Sequence, residues 1–441
     1  MTASVVPALT APRKARKLSV ADATTDSGLR VIAVRKPGVP LVEVRLRVPF
    51  LSGRPTHPAR AAVLSDALLT GTSTSDRTTL AATVQSLGGD LSVGVDADRL
   101  LVGGNALATN LRSLLDVLAT VLTDAAYAPD EVAIERDRLV ERLSIARSRA
   151  GVVAAEALAE RMWGAHPYAH DLPQVEDVAA TTAAQVRSLH RADVRPSDAV
   201  LVVVGDISPA RVVDVVAAAL ADWTGTASSS RIAALPAPQP GPLLVVDRPG
   251  SVQSSIRLGG VALPRTDPGY PALQLANLVF GGYFSSRWTE NLREDKGYTY
   301  GPHSRIEHNV LGSTLLFDVD VATEVTAPAL LETRYELGRI ASLPVTEAEV
   351  AAVRQYAIGT LALSTATQSG LASTLSALVG AGLGIEWIAE HPLQLAKVSV
   401  DDVSAAAAQY LAPAGLVEVV VGDAASITSP LSKLGPVLDH A

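Results

Sequence analysis

Cysteine is absent from all 441 residues, which excludes disulfides, thiol nucleophiles and any zinc site that needs a thiolate. No stretch approaches about 18 consecutive apolar residues, so a membrane-spanning helix is not expected. Positive charge is also scarce. With 37 Lys and Arg against 45 Asp and Glu, the net charge of -8 argues against a nucleic-acid surface. The one basic cluster, Arg13 to Lys17, lies in a Pro- and Ala-rich arm (residues 1–17) that is expected to be flexible. That arm lacks the apolar core of a secretory signal, so a cytoplasmic location is expected. The phosphate-binding G-x-x-x-x-G-K-[ST] loop and the G-x-S-x-G elbow are missing, and no spacing of Ser and Asp specifies a triad.

What is present suits a large globular chain: 48% of residues are hydrophobic and 19% charged, with length enough for two to four domains. The most informative stretch is Gly281 to Gly301, GGYFSSRWTENLREDKGYTYG. Ser285 or Ser286 can cap a helix over Arg287 to Glu294, and Lys296-Gly297 supplies a cationic last turn and a stop. Tyr298, Thr299 and Tyr300 then alternate like a strand, which would put both rings on one side. Arg293 and a tyrosine would converge as two hydrogen-bond donors, a pair suited to a carbonyl oxygen and the oxyanion it becomes. The plainer alternative has Arg293 paired with Glu290 or Glu294 and the tyrosines as strand packing.

The chain also repeats itself. In the first half a strand at Leu41 to Val48 leads to a helix at Pro58 to Leu69, strands around Leu91 to Asn105, a helix at Ala108 to Asp124 and another opened by Pro129. A helix at Thr182 to His190 then precedes a buried strand at Ala199 to Val204 and Gly205-Asp206. The second half echoes it with strands at Ser255 to Val261 and Ser313 to Val321, helices at Pro271 to Phe280, Ala327 to Ser342 and from Val345, and a helix at Val400 to Tyr410. It closes on Val417 to Val421 and Gly422-Asp423, 217 residues after the first Gly-Asp. Strand runs followed by helical runs predict an α+β fold in two halves. The Ser-, Ala- and Pro-rich stretch 224–242 reads as the linker between domains at 18–223 and 243–441.

This pattern resembles the insulinase, or M16, peptidase family, in particular short bacterial members similar to mitochondrial processing peptidase subunits. The resemblance spans nearly the whole chain. It is carried by Ser27 to Ile32 leading into Pro40 to Leu46, by Leu69-Thr70-Gly71-Thr72 and by His166-Pro167-Tyr168. In the second half it is carried by Gly281-Gly282, Ser285-Ser286-Arg287, and Leu292-Arg293-Glu294 through Tyr300. It implies two homologous LuxS/MPP-like metallohydrolase-type domains, half of a clamshell around a peptide chamber. It also implies that Arg293 and Tyr300, seven positions apart, are the carbonyl-binding pair, with Tyr298 the less favoured ring.

The sequence departs from the family's metal motif. Active members carry His-x-x-Glu-His on the helix that ends at Gly-Thr, where two imidazoles bind zinc and the Glu activates water. Counting back from Gly71 places Ala62, Ser65 and Asp66 there. The third ligand, a Glu on a later helix, falls near Glu141-Arg142, and Glu141 is the residue of that pair able to stand in. His166 and His170, four apart, and the nearby His303 and His308 are poor substitutes, since Pro167 and the following turn place the first pair in a loop. No cofactor is therefore expected in this chain. The expectation is the non-zinc subunit of a heteromeric peptidase, with a zinc-binding homologue as partner and unfolded peptide as substrate. The alternatives are an inert scaffold or peptide-binding protein of the same fold and, least favoured, a peptidase with unusual ligands.

Overall fold

The computed structural model describes residues 18–227 and 232–440; the basic arm 1–17 lies outside them, as does the 228–231 stretch of the linker. The fold is α+β, built on two six-stranded sheets. The first comprises β1 (Ser19–Thr24), β2 (Arg30–Arg35), β3 (Leu41–Pro49), β4 (Asp90–Val95), β5 (Arg99–Leu107) and β6 (Val200–Gly205) in the order β1-β2-β6-β3-β5-β4. The second comprises β7 (Leu243–Asp247), β8 (Gln253–Ala262), β9 (His303–Asn309), β10 (Gly312–Ala322), β11 (Val417–Gly422) and β12 (Val437–His440) in the order β12-β7-β11-β8-β10-β9. Five strands correspond one to one: β6 and β11 each lie parallel to one neighbour and antiparallel to the other. The sixth differs in origin, because the first sheet adds β1 from before β2 whereas the second adds β12 from after β11. The VLVVVG and VEVVVG sequences of β6 and β11 explain their inner positions, since a strand covered on both faces reads as a continuous run of β-branched residues.

Each sheet is covered on one face by helices of its own half. Val31, Ala33, Leu201 and Val203 join the core of the first half, and Ile256, Leu258, Phe317 and Val420 that of the second. The opposite faces are covered by exchange. The Gln368–Gly380 helix of the second half packs Leu371, Ala372 and Leu375 onto Ile32, Val34, Val202 and Val204 of the first sheet. Reciprocally, the Ala150–Trp163 helix of the first half packs Ala154, Leu158 and Met162 onto Val417, Val419 and Val421. Each buried leucine contributes about 1.5–3 kcal/mol, so the exchanged helices bind the halves together.

An arginine is duplicated beneath these helices. Arg45 lies opposite Val202 on β6, and Arg257 lies opposite Val419 on β11, the same register counted from Gly205 and Gly422. Arg45 NH1 donates to Val44 O (2.8 Å) and Gly104 O (3.2 Å), and Arg257 NH1 to Ile256 O (3.0 Å) and Val319 O (3.2 Å), which occupy matching places. Arg45 goes on to hold Ser369 and Ser373 of the helix above it. Arg257 instead meets Gly151, where a Cβ would come within 2.7 Å of its NH2.

A latch ties the halves at a third place. Tyr168 donates its hydroxyl to Asp98, whose other oxygen accepts Val310 N (2.8 Å), while Leu311 N donates to the Tyr168 hydroxyl (3.1 Å). Burial, reinforced by the Asp98 carboxylate, pushes the Tyr168 phenol well above its ordinary value, so it remains the donor. The described part of the linker is held as well: His166 Nε2 bonds Ala233 O (3.2 Å), and Arg161 bonds Pro242 O.

Candidate functional site

The regular helix predicted over Arg287 to Glu294 is replaced by two short pieces, an α-turn at Arg287–Thr289 and a π-helical stretch at Glu290–Asp295, and a π-helical turn at Leu278–Gly282 precedes them. Ser286 caps the α-turn, accepting from Thr289 N at 3.4 Å, and Gly297 ends the segment with φ +65°. The α-turn directs Trp288 inward and the π-helical stretch Leu292, both fully buried, and Arg293 is left partly exposed. Trp288 stacks on Phe280 and donates to Thr333 (3.0 Å). Arg287 grips Glu349 through two bonds of 2.6 and 2.9 Å, which draws the Glu349 carboxyl down to about 2. Asn291 bonds Glu332 and Glu336, and Lys296 lies 3.4 Å from Glu332. The segment is thus pinned to the Thr326–Ser342 and Glu347–Ser364 helices before any ligand arrives.

The structure brings Arg293 and Tyr300 together by a different route from the one the alternation suggests. No strand forms over Tyr298 to Tyr300: Gly297 has just turned the chain, and Thr299 Oγ1 is spent on Asp320 O (2.7 Å). The two rings also part company. Tyr298 is half-buried against the second core, whereas Tyr300 is 86% exposed. The Arg293 guanidinium lies 4.9 Å from the centre of the Tyr300 ring and 4.6 Å from that of Phe284. Its Nε is 3.3 Å from Glu294 Oε1, the exposed pairing that composition also allowed. No hydrogen bond uses its NH1 or NH2 among the described residues. Phe284, 64% exposed, was not singled out by sequence; an aromatic beside a glycine pair, just before the Ser-Ser cap, was the available signal.

The positions that would carry metal are occupied otherwise. Ala62, Ser65 and Asp66 lie on the His57–Ala67 helix. Arg142 NH2, from the Pro129–Arg147 helix, sits 2.5 Å from Asp66 Oδ2. Glu141 points into solvent instead, so it is Arg142 that faces the Asp66 carboxylate, and the expectation that Glu141 could stand in is corrected. Burial raises the Asp66 carboxyl, with Arg142 opposing that shift. A methyl group, a hydroxyl and an ion-paired carboxylate opposite a guanidinium do not fit a divalent cation. No group of three or more His, Asp or Glu with metal-holding geometry occurs among the described residues.

The histidine pairs do no better. His166 Nδ1 accepts from Tyr168 N (3.1 Å) and its Nε2 bonds Ala233 O, so both nitrogens are committed. His170 stands beyond the intervening 3-10 turn, exposed at a hollow of about 200 Å³ that Ala62 and His57 also line. His303 and His308 share β9 at an odd separation and so face opposite ways. The hollow beside Ala62 shares Asp96, Ala97, Asp171 and Leu172 with a larger one of about 380 Å³ that reaches Arg257 and Asp318 on the second sheet. The larger hollow therefore lies between the halves and adjoins the smaller one. No helix among the described residues is long and apolar enough to cross a membrane.

Comparison with known proteins agrees with this architecture. The sequence model described as "Insulinase (Peptidase family M16)" matches residues 61–174, and that described as "Peptidase M16 inactive domain" matches residues 180–356. An uncharacterized zinc protease of Mycobacterium leprae is 24% identical over 300 residues, covering 67% of each chain. One of Mycobacterium tuberculosis is 24% identical over 399 residues, covering 88% of this chain and 90% of the relative. Among solved structures, a peptidase M16 inactive domain from Pseudomonas fluorescens superposes with a TM-score of 0.86 at 23% identity, covering 92% of this chain and 98% of that one. A protease from Helicobacter pylori superposes with a TM-score of 0.82 at 17% identity, covering 92% and 100%.

Proposed function

The chain belongs to the M16 (insulinase) peptidase family, and within it we propose the role of the non-metal subunit of a two-chain peptidase. Arg293 and Tyr300 hold the carbonyl of the peptide bond to be cut, and a zinc-binding homologue carries the metal. The observation that carries this reading is the contrast between two sites. At Arg293 a guanidinium keeps NH1 and NH2 without hydrogen-bond partners on a rigidly pinned segment. At Asp66 the metal position is closed by an internal ion pair.

The chemistry is a division of labour. Two fixed donors, one always charged, stabilise the oxygen on which negative charge develops, and they require no reorganisation at the moment of reaction. Extended, unfolded peptide suits a cleft bounded by sheet edges, where main-chain bonding carries affinity with little sequence demand. Maturation of one precursor and bulk peptide turnover both use this chemistry.

Mixing the purified chain with a His-x-x-Glu-His homologue from the same source is expected to create peptidase activity that this chain lacks by itself. Activity that is no higher in the mixture, or that survives Arg293→Ala in the complex, overturns the proposal. A second reading, an inert scaffold, is favoured by the Glu294 contact to Arg293. It predicts complex formation with no dependence of the rate on Arg293.

A further inference from the structure

Phe284 has no packing reason to be where it is. Its neighbours are used by the fold: Phe280 is fully buried, Tyr283 packs on Tyr356 at 4.7 Å, and Ser286 caps the next turn. Phe284 nevertheless turns out to solvent and lays one face against Arg293 at 4.6 Å, and the same guanidinium lies 4.9 Å from the Tyr300 ring. A guanidinium held against two rings is restricted in position, which removes part of the rotamer freedom it would otherwise lose on binding.

Each ring spends one face on Arg293. Tyr300 also lines a hollow of about 540 Å³. Two large, strongly exposed aromatic side chains, Phe284 and Tyr300, therefore border one cation, a pattern of surface that marks a binding site. Glu294 beside Arg293 and Asp320 in the wall of the hollow disfavour an acidic occupant.

We propose that Phe284 positions Arg293 and, with Tyr300, forms an aromatic platform for a bulky apolar side chain next to the carbonyl that Arg293 holds. The substrate class is then unfolded peptide with an aromatic or large aliphatic residue at that place. This inference rests on reading Arg293 and Tyr300 as the carbonyl clamp.

The test uses the whole chain and labelled, unstructured peptides that differ only in one central residue, Phe, Gly or Asp, with binding read by fluorescence anisotropy. The Phe peptide should bind about tenfold tighter than the Gly peptide, the scale of one aromatic contact, and the Asp peptide no better than the Gly peptide. Phe284→Ala should abolish that preference and Phe284→Tyr should restore it, with the thermal midpoint unchanged in both. Arg293→Ala should weaken the Phe and Gly peptides alike. Failure of Arg293→Ala to weaken any peptide sinks the clamp itself. If Arg293→Ala weakens binding but the Phe preference is absent, survives Phe284→Ala or is not rescued by Phe284→Tyr, the platform alone is wrong.

Discussion

Arg142 and Asp66 meet across two helices, NH2 to Oδ2 at 2.5 Å, at the place where active relatives are expected to hold a metal. The pair is half open to solvent on the arginine side, so it contributes little to stability, about 1 kcal/mol or less. Its consequence is exclusion: a fixed positive charge stands where a cation would have to sit.

Restoring the metal motif therefore requires Arg142 to be changed too. Ala62→His, Ser65→Glu and Asp66→His together should bind zinc poorly, because the guanidinium remains. Adding Arg142→Glu should raise zinc affinity at least tenfold, about 1.4 kcal/mol, measured by titration with a zinc-sensitive dye and by elemental analysis. Equal affinity with and without Arg142→Glu would show that this residue does not occupy the third-ligand place.

Tyr300→Phe isolates the hydroxyl of the proposed clamp. The ring and its stacking on Arg293 remain, and an exposed hydroxyl costs the fold within about 0.5 kcal/mol. In the complex with the zinc-bearing partner, kcat should fall about 100-fold with little change in KM, the signature of a donor used in the transition state. Steady-state kinetics on a fluorogenic peptide provides the measurement. A rise in KM at constant kcat would assign Tyr300 to ground-state binding instead.

The Tyr168 latch predicts a stability effect with a local readout. Tyr168→Phe leaves the Asp98 carboxylate, 6% exposed, with Val310 N as its remaining partner in the latch and takes the acceptor from Leu311 N. The expected loss is about 1–3 kcal/mol, read from the denaturant midpoint. Limited proteolysis should cut first at Val310-Leu311, since those two amides are what the latch holds. Loss of stability without faster cleavage there would place the effect elsewhere.

The repeat and the α+β class were legible in sequence because each is written locally, in the twin valine runs ending Gly-Asp and in strand and helix periodicities; the choice of Tyr300 as the ring near Arg293 rested on the family resemblance and its seven-residue spacing. The exchanged helices were not. Ala150–Trp163 is merely a small-residue helix until Val417, Val419 and Val421 arrive from the far end of the chain. The Tyr298 to Tyr300 strand misled for a related reason. Alternation describes side-chain direction only if the backbone is extended, and Gly297 at φ +65° together with the Thr299 bond to Asp320 keeps it from pairing. The Asp66–Arg142 pair needed both helices in place, since the sequence located Arg142 near the ligand position without showing that it, and not Glu141, reaches Asp66.

Acid should weaken the protein well above the range in which its paired carboxylates titrate. His391, 1% exposed, stacks on Trp387 at 4.1 Å, bonds Gln274 (2.7 Å) and lies within the field of Arg265; burial lowers it to about 4. Burial likewise lowers His308 to about 3, and His57 and His190 shift the same way. In the unfolded chain these imidazoles take protons at about pH 6.5, while the folded chain takes them only at lower pH. Stability is therefore at its plateau above pH 7 and falls as pH drops from 6.5 towards 4, by about 1.4 kcal/mol per pH unit for each imidazole that stays neutral in the fold across that range. Glu349, held at about 2 by Arg287, keeps its stabilisation until the pH falls below about 4.5 and loses it towards 2, a separate window. Urea midpoints between pH 8 and pH 4 should show the slope, and His391→Phe should reduce it by the share of one imidazole. A midpoint flat down to pH 5 would mean that these imidazoles gain protons without opening the fold.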